Sequence, residues 1–190
     1  RSQFAVTRPT ALARRQDEKC IRRVLVNCGE TDPYNMTKII LEGLEIAALD
    51  VQVDIALDRI NPNLLASGVN MYIGHNDMAD LMAKADLAIG TTGNSTLERC
   101  CLGLPSLIIV TKDSQRLLAQ NLAETGSVKV ISEYHNLTPA RIANALHEIT
   151  KNKDQLDQMR TAAALHSNGL GARLLAMVLD PYLSKEGKNI

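Results

Sequence analysis

Between Asp86 and Pro105 the chain runs Asp-Leu-Ala-Ile-Gly-Thr-Thr-Gly-Asn-Ser-Thr-Leu-Glu-Arg-Cys-Cys-Leu-Gly-Leu-Pro. Leu87 to Ile89 has the character of a short buried strand, Gly90 to Ser95 of a small polar loop, and 95–102 of a helix with Glu98 in its first turn. The first N–H groups of a helix have no partner within it, and the dipole there favours negative charge, so such a start suits phosphate. Thr91, Thr92, Asn94, Ser95 and Thr96 add hydroxyl and amide groups beside those donors. Gly90 and Gly93 let the backbone turn sharply and approach a ligand closely. A carboxylate is repelled by phosphate, so Glu98 suits accepting hydrogen bonds from hydroxyls, such as those of a ribose. The plainer reading of the same residues is a capped helix, because Ser, Thr and Asn cap well and an early Glu complements the dipole.

The elements that must carry these groups alternate along the chain. Apolar runs predict strands over 24–27, 51–56, 70–73, 87–89, 107–110 and 128–131. Helical spacing predicts helices over 34–49, 62–66, 78–85, 95–102, 114–125, 139–150, 155–166 and 171–178. Residues 1–19 are polar and broken by Pro9, which suits a linker. Strands alternating with helices imply an α/β fold, a Rossmann-like parallel sheet flanked by helices. Ligands of such sheets bind outside the carboxyl ends of the strands. Three polar turns fall there: Cys28 to Pro33, Gly74-His75-Asn76 and Gly90 to Ser95. Neither G-x-G-x-x-G nor G-x-x-x-x-G-K-[ST] occurs, so the common dinucleotide and ATP-phosphate fingerprints are missing.

Composition narrows the partners. The 190 residues carry 21 Lys+Arg against 21 Asp+Glu, a balance that argues against nucleic acid or an anionic membrane surface. No apolar run approaches the roughly 20 residues of a membrane helix. Cys20, Cys28, Cys100 and Cys101 follow no metal or redox spacing, so reduced thiols, a cytoplasmic setting and no metal or cofactor are expected. Aromatic residues are only 3%, so a base sandwiched between rings is not expected and backbone groups would read it.

The run from Asp77 to Gly90, with Ser95-Thr96-Leu97-Glu98-Arg99-Cys100-Cys101-Leu102-Gly103-Leu104-Pro105, resembles the C-terminal half of the UDP-sugar hydrolases of pseudaminic acid biosynthesis. Those enzymes release UDP from a UDP-linked diacetamido-trideoxyhexose and are similar in turn to MurG-type glycosyltransferases of the GT-B fold. The resemblance extends to 27–35, to Lys112-Asp113-Ser114-Gln115 and to the Gly-rich segment 168–173. It implies a linker over 1–19, a nucleotide-sugar-binding domain over 20–166 and a C-terminal helix and tail over 167–190. It further implies uracil against the backbone of Gly74 and His75, ribose hydroxyls on Glu98, and phosphates at Gly93, Asn94, Ser95 and Thr96. Gly29, Thr31, Asp32, Ser114 and Gln115 would face the sugar. The family has Gly-Gly where this chain has Gly29-Glu30, Gly-Gly-Ser-Thr where it has Thr92-Gly93-Asn94-Ser95, and Asn-Gln where it has Ser114-Gln115.

The family's first domain, with the His that activates water, would precede Arg1. The resemblance therefore implies a UDP-sugar hydrolase only as the full-length protein, with no catalytic residue here beyond the candidate base Asp32. The chain alone would be inactive, and its partners would be UDP or a UDP-sugar and the upstream domain. Two other readings remain open: the UDP-binding half of a GT-B glycosyltransferase, which breaks the same bond with a different acceptor, and a non-catalytic nucleotide-sugar-binding domain.

Overall fold

A computed structural model describes residues 21–29, 32–58, 68–74, 78–170 and 176–180. The linker 1–19 and the helix expected over 62–66 lie outside the described residues. Of the helix expected over 171–178 only the part from 176 is described, and residues 176–180 are helical.

Six parallel strands form one sheet in the order β3-β2-β1-β4-β5-β6. They are β1 (Arg23–Asn27), β2 (Gln52–Leu57), β3 (Val69–Ile73), β4 (Leu87–Thr91), β5 (Ser106–Val110) and β6 (Lys129–Glu133). The helices are α1 (Met36–Ala47), α2 (Met78–Lys84), α3 (Asn94–Cys101), α4 (Asp113–Glu124), α5 (Pro139–Lys151) and α6 (Lys153–His166).

Strands covered on both faces are apolar without interruption, and Val24-Leu25-Val26 of β1 and all five residues of β5 are buried accordingly. Alternate residues serve opposite layers. Val24, Val26, Ile55, Ile89 and Leu107 pack with Ile40 and Leu44 of α1, Ile142 and Leu146 of α5 and Met159 of α6. Leu25, Ala56 and Ala88 face Leu81 and Met82 of α2 together with Leu102 and Leu104. The edge strands β3 and β6 are only partly buried. In β6 an irregularity opposite Ile108/Ile109 inserts one residue, and the strand runs from Lys129 to Glu133, two residues past the Ile131 expected from the sequence. Helices α1 and α5 approach so closely that a Cβ on Gly43 would fall 2.5 Å from that of Ile142.

The start of the sheet is held by carboxylates. Asp86 accepts the backbone N–H groups of Arg22 and Arg23, each at 2.9 Å, tying β1 to β4. Asp54, fully buried on β2, accepts both Nε and Nη2 of Arg23 and the amide of Asn70 on β3. Arg23 Nη2 also donates to the Tyr72 hydroxyl at 3.3 Å, so the same network sets the position of the Tyr72 side chain.

Candidate functional site

The sheet reverses its winding between β1 and β4, where Asn27 pairs with Gly90 at the carboxyl ends. This is the switch point at which open α/β sheets leave a crevice. A cavity of about 270 Å³ opens beside it, lined by Asn27, Gly29, Ala56, Leu57, Asp58, Tyr72, Met78, Met82, Asn94, Ser95 and Glu98. Gly29, Asn94, Ser95 and Glu98 are thus brought together from one loop and one helix. Asn27 Nδ2 donates to the Ala56 carbonyl at 3.1 Å and so bridges β1 to β2 at the cavity wall.

The loop after β4 is shorter than expected, because β4 continues through Thr91 and α3 begins at Asn94. Only Thr92 and Gly93 lie between them. The Thr96 hydroxyl accepts the Gly93 N–H at 3.2 Å and donates to the Thr91 carbonyl at 3.1 Å, while Thr96 N–H donates to the Gly93 carbonyl at 3.0 Å. Thr96, expected at the phosphates, is fully buried, and its hydroxyl is engaged inside the protein, where it braces the loop. Gly93 N–H is likewise engaged. The helix-start donors left for an anion are those of Asn94 and Ser95, whose side chains line the cavity.

The two glycines have different reasons. Gly93 has φ 161°, extended backbone open to any residue, and a Cβ there would meet nothing nearer than Gln115 Nε2 at 4.0 Å. No protein atom requires a glycine, and the empty space lies on the side of Gln115. Gly90 does not belong to the loop at all: it sits inside β4, and a Cβ there would fall 2.1 Å from the Asn27 carbonyl oxygen. Its role is close strand packing, not close approach to a ligand.

Gln115, on the first turn of α4, has its Oε1 held by the Thr111 hydroxyl at 2.8 Å, which turns Nε2 toward Gly93. Ser114 is exposed beside it. Gly74 closes the end of β3 with φ 58°, its N–H donating to the Leu57 carbonyl at 2.9 Å. His75 and Thr31 lie outside the described residues, as does Glu30.

Asp32 is not placed as a base. It is 3% exposed, and its two carboxylate oxygens accept the N–H groups of Met36 (2.9 Å) and Thr37 (2.8 Å), the first residues of α1. The carboxylate caps the helix, and its carbonyl closes the turn to Asn35 at 3.1 Å. Burial next to Asp32 pushes the Cys28 thiol up to about 12, and burial pushes Cys100 up to about 11, so both are neutral and unreactive.

Sequence reasoning missed Tyr72, Met78, Met82 and Asp58 in the cavity wall. Met78 and Met82 stand at i and i+4 on α2, a spacing that puts both on one face. The scarcity of aromatics argues against a base sandwiched between rings, and one of the four tyrosines, Tyr72, lines the cavity. Arg99 was also missed: it is 1% exposed and donates to the carbonyls of Ser95 (3.2 Å, Nε) and Thr91 (2.9 Å, Nη2) and to the Thr96 hydroxyl (3.0 Å, Nη2). Among the described residues no group of three or more His, Cys, Asp or Glu is placed to hold a metal, and no helix is long and apolar enough to cross a membrane.

Known proteins share this arrangement. The MurG of Acinetobacter baumannii superposes with a TM-score of 0.70 at 18% identity, over 90% of this chain and 53% of that one. A protein described as a putative UDP-N-acetylglucosamine 2-epimerase from Listeria monocytogenes superposes at 0.63 and 16% identity, over 86% and 46%. At such identities the likeness shows the fold, the C-terminal Rossmann-like half of a GT-B protein. The undecaprenol-pyrophosphoryl-muramylpeptide N-acetylglucosamine transferase of Rhizobium etli, which uses UDP-N-acetylglucosamine by its name, is 34% identical over 121 residues, 61% of this chain and 32% of the relative. The chain thus spans about a third of the length of the curated relatives it matches. These findings correct the hydrolase expectation, because the relatives carrying an enzyme name are transferases. Residues 11–175 match the glycosyltransferase family 28 C-terminal domain, and the chain belongs to that family.

Proposed function

We propose that the chain is the donor-binding half of a glycosyltransferase that uses a UDP-linked N-acetylhexosamine. The observation that carries this reading is the cavity at the switch point, with the free start of α3 and Glu98 on its wall, in a chain of family 28. The N–H groups of Asn94 and Ser95 would hold the diphosphate, with Gly93 leaving room for it. Glu98 would accept hydrogen bonds from the ribose hydroxyls, and the uracil would lie toward Gly74, flanked by Tyr72 and the Met78 and Met82 thioethers. The hexose would extend past Gly93 toward Gln115.

Transfer breaks the bond between the anomeric carbon and the β-phosphate oxygen and forms one to an acceptor hydroxyl. Negative charge gathers on the departing UDP, where fixed N–H donors at a helix start stabilise it with little reorganisation. The acceptor hydroxyl must lose its proton to a base. Asp32 is buried and engaged in capping α1, so that base would come from elsewhere in the polypeptide, together with the acceptor site. A domain packed over the carboxyl edge would supply both.

The test is to incubate the full-length polypeptide with UDP-N-acetylglucosamine, with and without polyprenyl-pyrophosphoryl-linked sugar acceptors, and to measure UDP release. Release that depends on the acceptor and yields a longer glycan supports the reading. Equal release without acceptor overturns the transferase assignment.

A further inference from the structure

Beneath the loop between β4 and α3 lies a cation that the scheme above does not use. Arg99 is buried to 1% exposure, and its Nη1 has no hydrogen-bond partner. That nitrogen lies 3.1 Å from where a Cβ on Gly90 would stand, so it is packed against the end of β4 and shut off from water. Desolvating a buried cation is costly even with the Glu98 carboxylate in electrostatic reach, and an apolar side chain would fill the same space without that cost. The three acceptors it does hold, Thr91 O, Ser95 O and Thr96 Oγ1, span the loop from the last residue of β4 to the first turn of α3. Thr96 in turn holds the Gly93 N–H.

We propose that Arg99 is a positioning residue for a nucleoside diphosphate: it fixes the curvature of the loop and supplies a positive charge that the bound diphosphate completes. The proposal rests on the reading of the cavity as a nucleotide-sugar site. Arg99 is hydrogen-bonded to Ser95, a lining residue, so its charge stands one peptide behind the surface that would meet the phosphates. Burial lowers its pKa to about 10, which leaves it charged at neutral pH. A buried charge is also little screened by salt, so its attraction for a diphosphate persists where surface charges fade.

The experiment compares the wild-type protein with Arg99→Lys, Arg99→Gln and Arg99→Met by competition binding of UDP and uridine, with melting temperature measured on each. The expected result is that Gln and Met weaken UDP about tenfold or more while uridine changes less than about twofold, with Lys between them because it keeps the charge but not the fork. A merely structural role would lower stability and weaken both ligands together. Folded variants that keep the wild-type ratio of UDP to uridine affinity overturn the proposal. Should no variant fold, the wild-type Arg99 Nε–H resonance is followed during titration: UDP should shift it and uridine should not, and an unmoved signal at UDP saturation overturns the proposal. If the wild-type protein binds no UDP, the nucleotide-site reading itself fails.

Discussion

Gly90 and Gly93 lie three residues apart, and the structure assigns them opposite sensitivities. Alanine at Gly90 would set a Cβ 2.1 Å from the Asn27 carbonyl oxygen, a backbone atom that cannot rotate aside. The paired strands must separate by more than an ångström at their carboxyl ends. Overpacking costs about 1–3 kcal/mol where side chains can adjust, and here the upper end, about 3 kcal/mol, is expected. For a chain of this size that corresponds to a melting temperature lower by roughly 6–12 °C. Alanine at Gly93 meets only Gln115 Nε2 at 4.0 Å, with φ in the extended range. Stability should lie between no change and about 1 kcal/mol of gain, because the unfolded chain loses freedom. The new methyl would occupy the gap between the loop and Gln115, where the diphosphate and hexose would pass, so UDP affinity should fall about tenfold or more. Denaturant titration and calorimetry with UDP on both variants form the assay. A Gly93→Ala protein that binds UDP as the wild type does would refute the claim that this space belongs to the ligand. A loss of stability equal to that of Gly90→Ala would refute the packing argument.

Glu98→Gln should weaken UDP by about three- to tenfold with little change in melting temperature, since hydrogen bonds to a charged acceptor contribute roughly 1.5–3 kcal/mol and an amide keeps part of that. Calorimetry and thermal melts on the same sample check both halves of the statement. Asp32→Asn should cost about 1 kcal/mol through the α1 cap and leave UDP affinity within about twofold; a stable variant without transfer activity would restore the base assignment. The Cys28 thiol has an ordinary value of 9.0 and is raised to about 12 in the folded protein. The unfolded chain therefore ionises first, and the stabilising contribution, complete below pH 9.0, is lost as pH rises toward about 12. Denaturant midpoints from pH 8 upward should fall through that window, and Cys28→Ser should flatten the fall.

The fold was legible because burial on both faces leaves a plain mark, as in Val24-Leu25-Val26 and the apolar β5, and because the helices between carry regular stripes. Element ends were less legible: Asn94 rather than Ser95 opens α3, since a two-residue loop suffices once the Thr96 hydroxyl holds both Gly93 and Thr91. The polar loop and Glu98 could be placed at one edge from sequence alone. Arg99 could not, because a cation four residues after Ser95 has the spacing of a solvated helix face, and only the close packing at Gly90 shows that it points inward. Asp32 was ambiguous for a similar reason: Asp-Pro before a helix fits both a turn and a cleft-facing acid, and the two N–H bonds decide it. Hydrolysis and transfer were not separable in these residues, since both break the same bond and the acceptor is bound elsewhere.

If the proposed function holds, the crevice between β1 and β4 takes the UDP portion of a nucleotide sugar. Titration of the isotope-labelled protein with UDP, followed by backbone amide shifts, tests it most directly. Saturable shifts are expected at Gly93, Asn94, Ser95 and Glu98 and at Gly29 and Gly74, with ADP producing weaker ones. Shifts centred away from that crevice, or no saturable shift at all, would overturn the assignment.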